Sequence, residues 1–336
     1  MSSSLRLGIV GAGAVTQVAH LPVLTKMKGI TVTALADGDL VKAASLATRF
    51  GVPFAFEDLQ EMIAKTPLDA LLVCTPNHLH ESHVLEGLSA GLHVMVEKPL
   101  ASSVAGAERI RDAAARAGKL VMVGMSHRYR SDVQTLREFV ARGALGTVES
   151  VQGVWHTFRP SRAMLGWRER KAEAGGGAML DLGLTVLDLA LWLLGNPTPL
   201  RVTANLDGIV DERTVERAGG AFVICEGGAS IAVDVNWRHV GPGERFEVGL
   251  RGTKGTGAMN PLRVWQDLNG IATDVAPTTA GTRENLFTSA VRAEWAHFLT
   301  AVADRSRSPS LEAQVRLHRL LDAVYRSARE GKEVTV

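Results

Sequence analysis

The stretch LRLGIVGAGAVT, residues 5–16, decides the fold of the first half of this 336-residue chain. An apolar run rich in β-forming residues leads directly into Gly11 and Gly13, and a helical period follows. In such a glycine turn the backbone can approach a pyrophosphate at the N-terminus of a helix. Thr16 replaces the usual third glycine, so the turn alone is a weak signal and also fits a tight turn without a ligand.

Beyond this turn, short β-rich runs alternate with helical periods as far as about residue 126. The runs DALLVCTP (69–76) and HVMVEKP (93–99) are continuous and apolar, whereas DLVKAASLATRFG (39–51) has the period of a helix ending at glycine. This alternation is typical of a parallel sheet with crossover helices. It predicts an α/β Rossmann domain, a doubly wound parallel sheet, over residues 1–126.

The second half has a different pattern, in which apolar and polar residues alternate. In ASIAVDVNWRH (229–239) every second residue from Ile231 to Trp237 is apolar, as expected for a strand with one buried face. Several such runs joined by short turns with glycine predict an α+β domain with a large, mainly antiparallel open sheet over residues 127–336. The free face of that sheet is a candidate surface for a homodimer or homotetramer.

Composition excludes several classes of partner. Lys and Arg total 37 against 35 Asp and Glu, so the net charge of +2 gives no field for nucleic acid. Cys74 and Cys225 are far apart in the chain, which predicts no disulfide, no metal site and a reduced cytoplasmic protein.

No segment of the sequence predicts export or a membrane span. The N-terminus lacks a charged leader followed by an apolar region. The longest apolar run, from Ala178 to Leu194, is shorter than the roughly 20 residues that a spanning helix needs, and it contains two aspartates. We therefore expect a buried core helix there and no membrane partner.

Asp37 follows the second predicted strand, 21 residues after Thr16. In dinucleotide-binding folds an acidic residue at about this spacing accepts hydrogen bonds from the ribose hydroxyls of NAD. A carboxylate would repel the 2′-phosphate of NADP, and no basic neighbour is evident around Asp37, so NAD is favoured over NADP. The alternative is an ordinary loop acid or helix cap.

Three further motifs identify a family. CTPNHLH (74–80), VEKPLA (96–101) and GGGAMLDLG (175–183) resemble, in order and spacing, the glucose-fructose oxidoreductase, inositol dehydrogenase and rhizopine-catabolism family (Gfo/Idh/MocA). The resemblance covers nearly the whole chain. It implies an NAD(P)-dependent oxidoreductase that moves a hydride between nicotinamide and a carbinol carbon of a sugar, cyclitol or related polyol.

The resemblance also implies roles for individual residues. Thr75, Asn77 and His80 would line the nicotinamide side, Glu97 would approach the ribose, and Lys98 would reach both nicotinamide and substrate. Singly, each could instead be a turn residue, a helix cap or part of an exposed ion pair. With the glycine turn, the candidate cofactor-binding residues are Gly11, Gly13, Ala14, Val15, Asp37, Thr75, Asn77, His80, Glu97, Lys98, Trp167 and Arg168.

The apolar run contains two aspartates, Asp181 and Asp188, and in a helix both would share a face with Thr185. In the family's usual pattern, D-x-G-x-H-x-x-D, position 185 is the histidine that exchanges the substrate proton. A threonine hydroxyl is too weak an acid or base for this near neutral pH. We take Lys98, Asp181 and Thr185 as candidate catalytic residues and assign Asp188 to packing or a helix-end hydrogen bond.

Three routes for the substrate proton remain open. Lys98 could act as the base beside the positive nicotinamide ring, or Thr185 could relay the proton to water. Tyr129, His127 or His156 could also take over, and His156 is a candidate substrate contact together with Lys98, Asp181 and Thr185. The alternative function is a non-catalytic sensor that binds NAD and a sugar.

Overall fold

The computed structural model describes residues 4–159, 166–208, 214–277 and 285–336. The chain forms two compact units. The first consists of Met1–Ser126 and Asn285–Val315, and the second of His127–Glu284 and Arg316–Val336.

The sheet of the first unit is parallel throughout. Its six strands are β1 (Leu5–Val10), β2 (Ile30–Ala36), β3 (Phe54–Phe56), β4 (Ala70–Val73), β5 (His93–Glu97) and β6 (Val121–Gly124). They lie in the order β3-β2-β1-β4-β5-β6, as predicted for a doubly wound fold. The order reverses between β1 and β4, and open α/β sheets bind ligands at the carboxyl ends of the strands at such a point.

Helices connect these strands. They are a π-helix (Thr16–His20) running into α1 (Leu21–Leu24), α2 (Leu40–Phe50), α3 (Leu59–Lys65), a 3-10 helix (Asn77–Leu79), α4 (His80–Ser89) and α5 (Val104–Ala117). Helix α2 shows how local sequence sets the bounds: the Asp39 side chain accepts from the Lys42 backbone N–H, and Gly51 ends the helix with a left-handed φ of 69°.

The second unit is built on a nine-stranded sheet. The strands are β7 (Val148–His156), β8 (Pro199–Leu206), β9 (Ala218–Cys225), β10 (Ser230–Asn236), β11 (Arg245–Gly252), β12 (Gly255–Met259), β13 (Arg263–Leu268), β14 (Ile271–Asp274) and β15 (Val334–Thr335). Their order is β14-β13-β12-β11-β7-β10-β9-β8-β15. Only the β7–β10 pair among these neighbours is parallel, which agrees with the predicted, mainly antiparallel sheet.

Helices cover one face of this sheet. In chain order the second half of the molecule contains 3-10 helices at Ser126–Tyr129, Trp167–Glu169 and Glu226–Gly228, α6 (Ser131–Ala141), α7 (Lys171–Ala174), a π-helix (Met179–Gly183) and α8 (Leu184–Leu193). A Cβ atom at Gly153 of β7 would collide with Val186 of α8, so this glycine lets the helix approach the sheet closely.

The segment Lys171–Leu193 is long and apolar enough to cross a membrane by length and composition alone. Within the structure, 89% of its most apolar window is buried, as is typical of a core helix.

The segment 285–315 differs from the predicted domain assignment, which placed it in the second domain. It contains α9 (Leu286–Ala303), a 3-10 helix (Arg305–Arg307) and the start of α10 (Leu311–Glu330). Trp295 and Phe298 of α9 are fully buried, and α9 packs against α1 and the adjoining π-helix. Their apolar surface is therefore part of the first unit's core, although the segment follows the second sheet in the chain.

Candidate active site

The glycine turn after β1 is closed by contacts within the protein. Gly11 has a φ of 99°, and a Cβ atom there would lie 2.5 Å from the Cys74 carbonyl oxygen. The Thr16 hydroxyl, fully buried, donates to the Gly11 carbonyl at 2.6 Å. Threonine at the third glycine position thus stabilises the turn through its side chain.

Gly13 is different, because a Cβ atom there would meet no atom within 4 Å. The protein's own packing does not require glycine at this position, whereas the close approach of a phosphate would. Ala14 and Val15 follow it as the first residues of the helical stretch. The turn therefore fits the pyrophosphate of a dinucleotide at a helix N-terminus.

Asp37 lies at the end of β2, beside this turn. Its Oδ2 accepts from the Ala12 backbone N–H at 2.7 Å, while Asp39 acts as the cap of α2. The Lys42 ammonium lies 3.2 Å from Asp37 Oδ2. The expectation that Asp37 has no basic neighbour is therefore wrong, because the first turn of α2 brings Lys42 back to it.

The loops after β4 and β5 are joined by His80. Its Nε2 lies 2.9 Å from the Thr75 carbonyl oxygen and its Nδ1 lies 2.7 Å from the Pro99 carbonyl oxygen. Burial lowers the pKa of His80 although both carbonyls favour the charged ring. The side chain is 1% exposed and contacts a carbonyl oxygen in each loop, so it ties the two loops together. Its place on the nicotinamide side stays a prediction.

Thr75, Asn77, Glu97 and Lys98 lie in these two loops at adjacent strand ends. The Thr75 hydroxyl is 3.0 Å from His83 Nδ1, and Asn77 begins the 3-10 helix. Lys98 is half-buried next to Glu97. Burial raises the pKa of Glu97, but the hydrogen bond from His20 and the charge of Lys98 outweigh this, so its pKa lies below the ordinary value.

In the second unit, Asp181 is held by two side chains that the sequence analysis did not identify. Its Oδ2 lies 2.6 Å from Arg159 Nη2 and accepts from Trp237 Nε1 at 3.3 Å. The Arg159 guanidinium also stacks over the Trp237 ring, 4.9 Å from its centroid. Arg159 follows β7 and Trp237 follows β10, so only the sheet pairing brings them to Asp181.

The start of the helix that carries Asp181 is anchored by Glu216 and Tyr325. Glu216 Oε1 accepts from the backbone N–H groups of Gly177 and Met179, both at 2.9 Å, and from the Tyr325 hydroxyl at 2.7 Å. A Cβ atom at Gly176 would collide with the Tyr325 hydroxyl, and one at Gly177 with the Glu216 carbonyl oxygen. This packing explains two of the three consecutive glycines, residues 175–177, that open the motif GGGAMLDLG.

Asp181 lies within a π-helical turn, Met179–Gly183, before the regular helix α8. Single π turns inside helices are frequent at functional sites. Thr185, in the first turn of α8, is 3% exposed, and Asp181 is more accessible. The predicted helix is thus present, with an irregular turn at the position of Asp181.

Asp188 has a more definite role than the predicted packing or helix-end hydrogen bond. Both of its oxygens accept from the Arg128 guanidinium, at 2.7 and 2.5 Å, and Asp188 is 2% exposed. This buried ion pair fixes the segment Ser126–Tyr129 against α8. Tyr129 is consequently held near the helix that carries Thr185.

The two histidine candidates for proton transfer lie elsewhere in the unit. The His127 ring packs edge-on against Trp155 and Phe246, with centroids 5.1 and 4.9 Å away. His156 is on the open face of the sheet, in register with Asn236 and beside exposed Asp234. Its Nε2 is 3.0 Å from Asp234 Oδ2, but the angle is too poor for a hydrogen bond.

His156 is therefore not brought together with Asp181. The Trp237 contact places Asp181 on the helix-covered face, whereas His156 points to the opposite face. Trp167 and Arg168 form a 3-10 turn in which the Arg168 guanidinium stacks 4.3 Å from the Trp167 ring centroid.

Two family models match the chain. The model of the oxidoreductase family with an NAD-binding Rossmann fold (Gfo/Idh/MocA) matches residues 5–125, and the C-terminal domain of the same family matches residues 133–257. The chain belongs to the Gfo/Idh/MocA oxidoreductase family. Its first unit is an NAD-binding Rossmann domain.

Relatives and solved structures are similar over different spans. D-glucoside 3-dehydrogenase of Escherichia coli K12 is 35% identical over 61% of this chain and 58% of its own length. An oxidoreductase of Rhizobium meliloti, ORF334, is 27% identical over 99% of both chains. The crystal structure of GenD2 from gentamicin A biosynthesis, in complex with NAD, has a TM-score of 0.84 at 28% identity and covers 99% of this chain and 97% of that one.

Proposed function

We propose that this protein is an NAD-dependent oxidoreductase that transfers a hydride between nicotinamide and a carbinol carbon of a sugar, cyclitol or related polyol. The observation that carries the proposal is a set of three features at the carboxyl edge of one parallel sheet: the open Gly13 turn after β1, Asp37 after β2, and the Glu97–Lys98 loop at the end of β5. A dehydrogenase needs these elements to hold pyrophosphate, ribose and the reacting end of the cofactor. The activity named for D-glucoside 3-dehydrogenase supports a sugar-like substrate.

The proposed roles follow the chemistry of alcohol oxidation. Bound NAD supplies the hydride acceptor. The Lys98 side-chain amino group binds the reacting oxygen, and it must be a neutral amine to take the proton from the substrate hydroxyl. Asp181, held by Arg159, accepts a hydrogen bond from a second substrate hydroxyl. Thr185 contacts the substrate without serving as the main base.

Lys98 is the first candidate for the proton acceptor, and Tyr129 is the second. The Arg128–Asp188 ion pair supports Tyr129 because it fixes the Tyr129 segment beside α8. The ring packing of His127 and the position of His156 on the open face argue against both histidines. Trp167 and Arg168 are retained as cofactor contacts on the basis of the family pattern.

The second candidate function is a sensor that binds NAD and a sugar without turnover. It is favoured by one feature, the replacement of the family's usual histidine by Thr185. Two experiments together distinguish the two functions. Crystals soaked with NAD and a panel of polyols show whether a sugar binds, and a screen of the same compounds for changes in nicotinamide absorbance shows whether it is turned over. An ordered sugar with no absorbance change from any polyol would favour the sensor.

We further propose a homodimer or homotetramer assembled on the open face of the second sheet. That face has two shallow depressions of about 650 Å³ each. Trp265, 43% exposed, lines one of them, and Phe222, 49% exposed, lines the other. Light scattering at micromolar concentration should give a multiple of 35.9 kDa, and a monomer mass would contradict the assembly. The two free cysteines suit a reducing, cytoplasmic location.

A further inference from the structure

Three side chains of the first unit form a hydrogen-bonded chain that ends at Glu97. Trp295 Nε1 donates to His20 Nδ1 at 3.0 Å, and His20 Nε2 lies 2.8 Å from Glu97 Oε1. Trp295 and His20 are 0% and 1% exposed, so water does not compete for these bonds. Trp295 comes from α9, 275 residues after His20 in the sequence.

The geometry determines which nitrogen of His20 carries the proton. An indole N–H can only donate, so His20 Nδ1 must present its lone pair to Trp295. The proton is then on Nε2, and His20 donates it to the Glu97 carboxylate as a neutral ring. The Trp295 ring stands at 87° to the His20 ring, 5.8 Å from it, which holds the imidazole plane in place.

Glu97 is charged at the end of this chain. Burial raises the pKa of Glu97, but the His20 hydrogen bond and the nearby charge of Lys98 lower it below the ordinary value. His80 and the buried Cys74 thiol are the other titratable groups that act on this carboxylate. Because the two oxygens belong to one planar carboxylate, the contact of His20 with Oε1 also restrains the position of Oε2.

We propose that His20 and Trp295 are positioning residues for the cofactor, fixing Glu97 through Oε1 so that Oε2 accepts a hydroxyl of the nicotinamide ribose. The inference rests on the proposed function, in which Glu97 meets that ribose. It assigns a purpose to the segment 285–315: α9 supplies the indole that determines the tautomer of His20. Neither residue touches the substrate, so both act through Glu97.

The tautomer is measured directly by long-range ¹H–¹⁵N NMR on protein labelled at histidine, without cofactor. The His20 signal is assigned by its loss in His20→Gln. We expect a proton on Nε2 and a lone pair on Nδ1 near neutral pH, and a mixed tautomer in Trp295→Phe. A wild-type His20 protonated at Nδ1, alone or in addition to Nε2, would overturn the proposal.

NADH binding tests the consequence. Trp295→Phe, which keeps an aromatic ring without the N–H, and His20→Leu should each raise the Kd on the order of tenfold. His20→Gln should recover most of the affinity, because a neutral amide offers one donor and one acceptor in the same way as the proposed tautomer. Trp192→Phe in α8, whose ring lies against Arg137, is the matched control and should bind as wild type does.

The two proposals fail in different ways. If wild type does not bind NADH, the proposed function fails, while the NMR result still decides the tautomer. If wild type binds NADH but Trp295→Phe binds as tightly as Trp192→Phe, the positioning role is refuted. His20→Gln binding no better than His20→Leu refutes it as well, and thermal unfolding of each variant separates lost binding from lost fold.

Discussion

The cofactor turn of the first unit and the Asp181 helix of the second unit are constructed in different ways. In the turn, Gly11 approaches Cys74 and Asp37 accepts from Ala12, two contacts between neighbouring strand ends that a regular βαβ repeat brings together. Thr16 adds a hydrogen bond within the turn itself. At the helix, Asp181 depends on Arg159 and Trp237, which lie on separate strands of a mixed sheet. A site of the first kind can be identified from sequence spacing, and one of the second kind cannot.

Replacing Lys98 should produce the largest effect on the rate of turnover. It removes the amino group that binds the reacting oxygen and leaves the glycine turn and the Asp181 helix unchanged. Lys98→Met is expected to lower kcat by about a thousandfold, the range of general acid–base and electrostatic contributions. NAD binding should stay nearly intact, since the pyrophosphate and ribose contacts lie elsewhere. Stopped-flow absorbance and a fluorescence titration measure the two quantities.

The control for this change is Lys65→Met. Lys65 is 64% exposed and pairs with Glu61 along the surface of α3, so the variant should turn over at the wild-type rate. Turnover by Lys98→Met within a factor of a few of this control would exclude Lys98 as the proton acceptor and leave Tyr129 and the relay through Thr185.

Glu216→Leu should have the next largest effect, on the free energy of unfolding. It tests the contacts by which Glu216 anchors the start of the Asp181 helix. It leaves two backbone N–H groups and the Tyr325 hydroxyl without their acceptor in a buried site. We expect a loss of about 3 kcal/mol, seen as a thermal midpoint lower by roughly 6 °C. Glu216→Gln keeps an oxygen acceptor at the same place and should be far less destabilised, and equal losses in the two variants would contradict the anchoring role.

The difference in stability between wild type and Glu216→Gln should depend on pH. Burial raises the pKa of Glu216 above its ordinary value of 4.5, so the folded protein binds this proton more tightly than the unfolded chain does. The stability from this group is complete below about pH 4.5 and is lost as the pH rises through the higher folded pKa. Stability of Glu216→Gln relative to wild type should therefore increase between pH 4.5 and neutral, and a constant difference would contradict this.

These residues show what could be predicted from the sequence. The parallel sheet could be predicted, and so could an acidic residue after its second strand, because strand period, glycine turns and a fixed spacing are local signals. The roles of Glu97 and Lys98 were implied only by the family resemblance and stay predictions. Glu216 and Tyr325 are 109 residues apart, and α9 was not predicted to join the first unit. The hydrophobic period of the sequence indicates neither the π turn at Asp181 nor the contact of Lys42 with Asp37, because both depend on how the chain packs.

The preference for NAD over NADP should change by about tenfold when Asp37 is replaced. This change tests how far the residues beside the glycine turn determine cofactor choice. Wild type is expected to bind NAD at least about tenfold tighter than NADP, because Asp37 repels the 2′-phosphate. Asp37→Ser should narrow the gap, since Lys42, now 3.2 Å from Asp37 Oδ2, becomes available to the phosphate. Adding Lys42→Met in that background should remove the gain in NADP affinity, and no change on adding it would exclude Lys42 from this role.

Thr185→Ala should give the smallest effect, a modest factor in kcat, because the hydroxyl is not the main base. Thr185→His places an imidazole four residues from Asp181 and should hold or raise the rate, with a pH profile approaching the imidazole range near ~6.5. Steady-state rates across pH measure both. A large loss in Thr185→Ala would instead make the hydroxyl part of the proton route.

Direct observation of hydride transfer distinguishes a dehydrogenase from a sensor. A panel of sugars, cyclitols and polyols deuterated at their carbinol carbons is incubated with the protein and NAD, and the nicotinamide is examined by NMR. We expect deuterium at the nicotinamide C4 position for at least one sugar or cyclitol, and none with Lys98→Met. If no compound transfers deuterium while one of them changes the Kd for NAD, the protein is a sensor and the assignment as a dehydrogenase is contradicted.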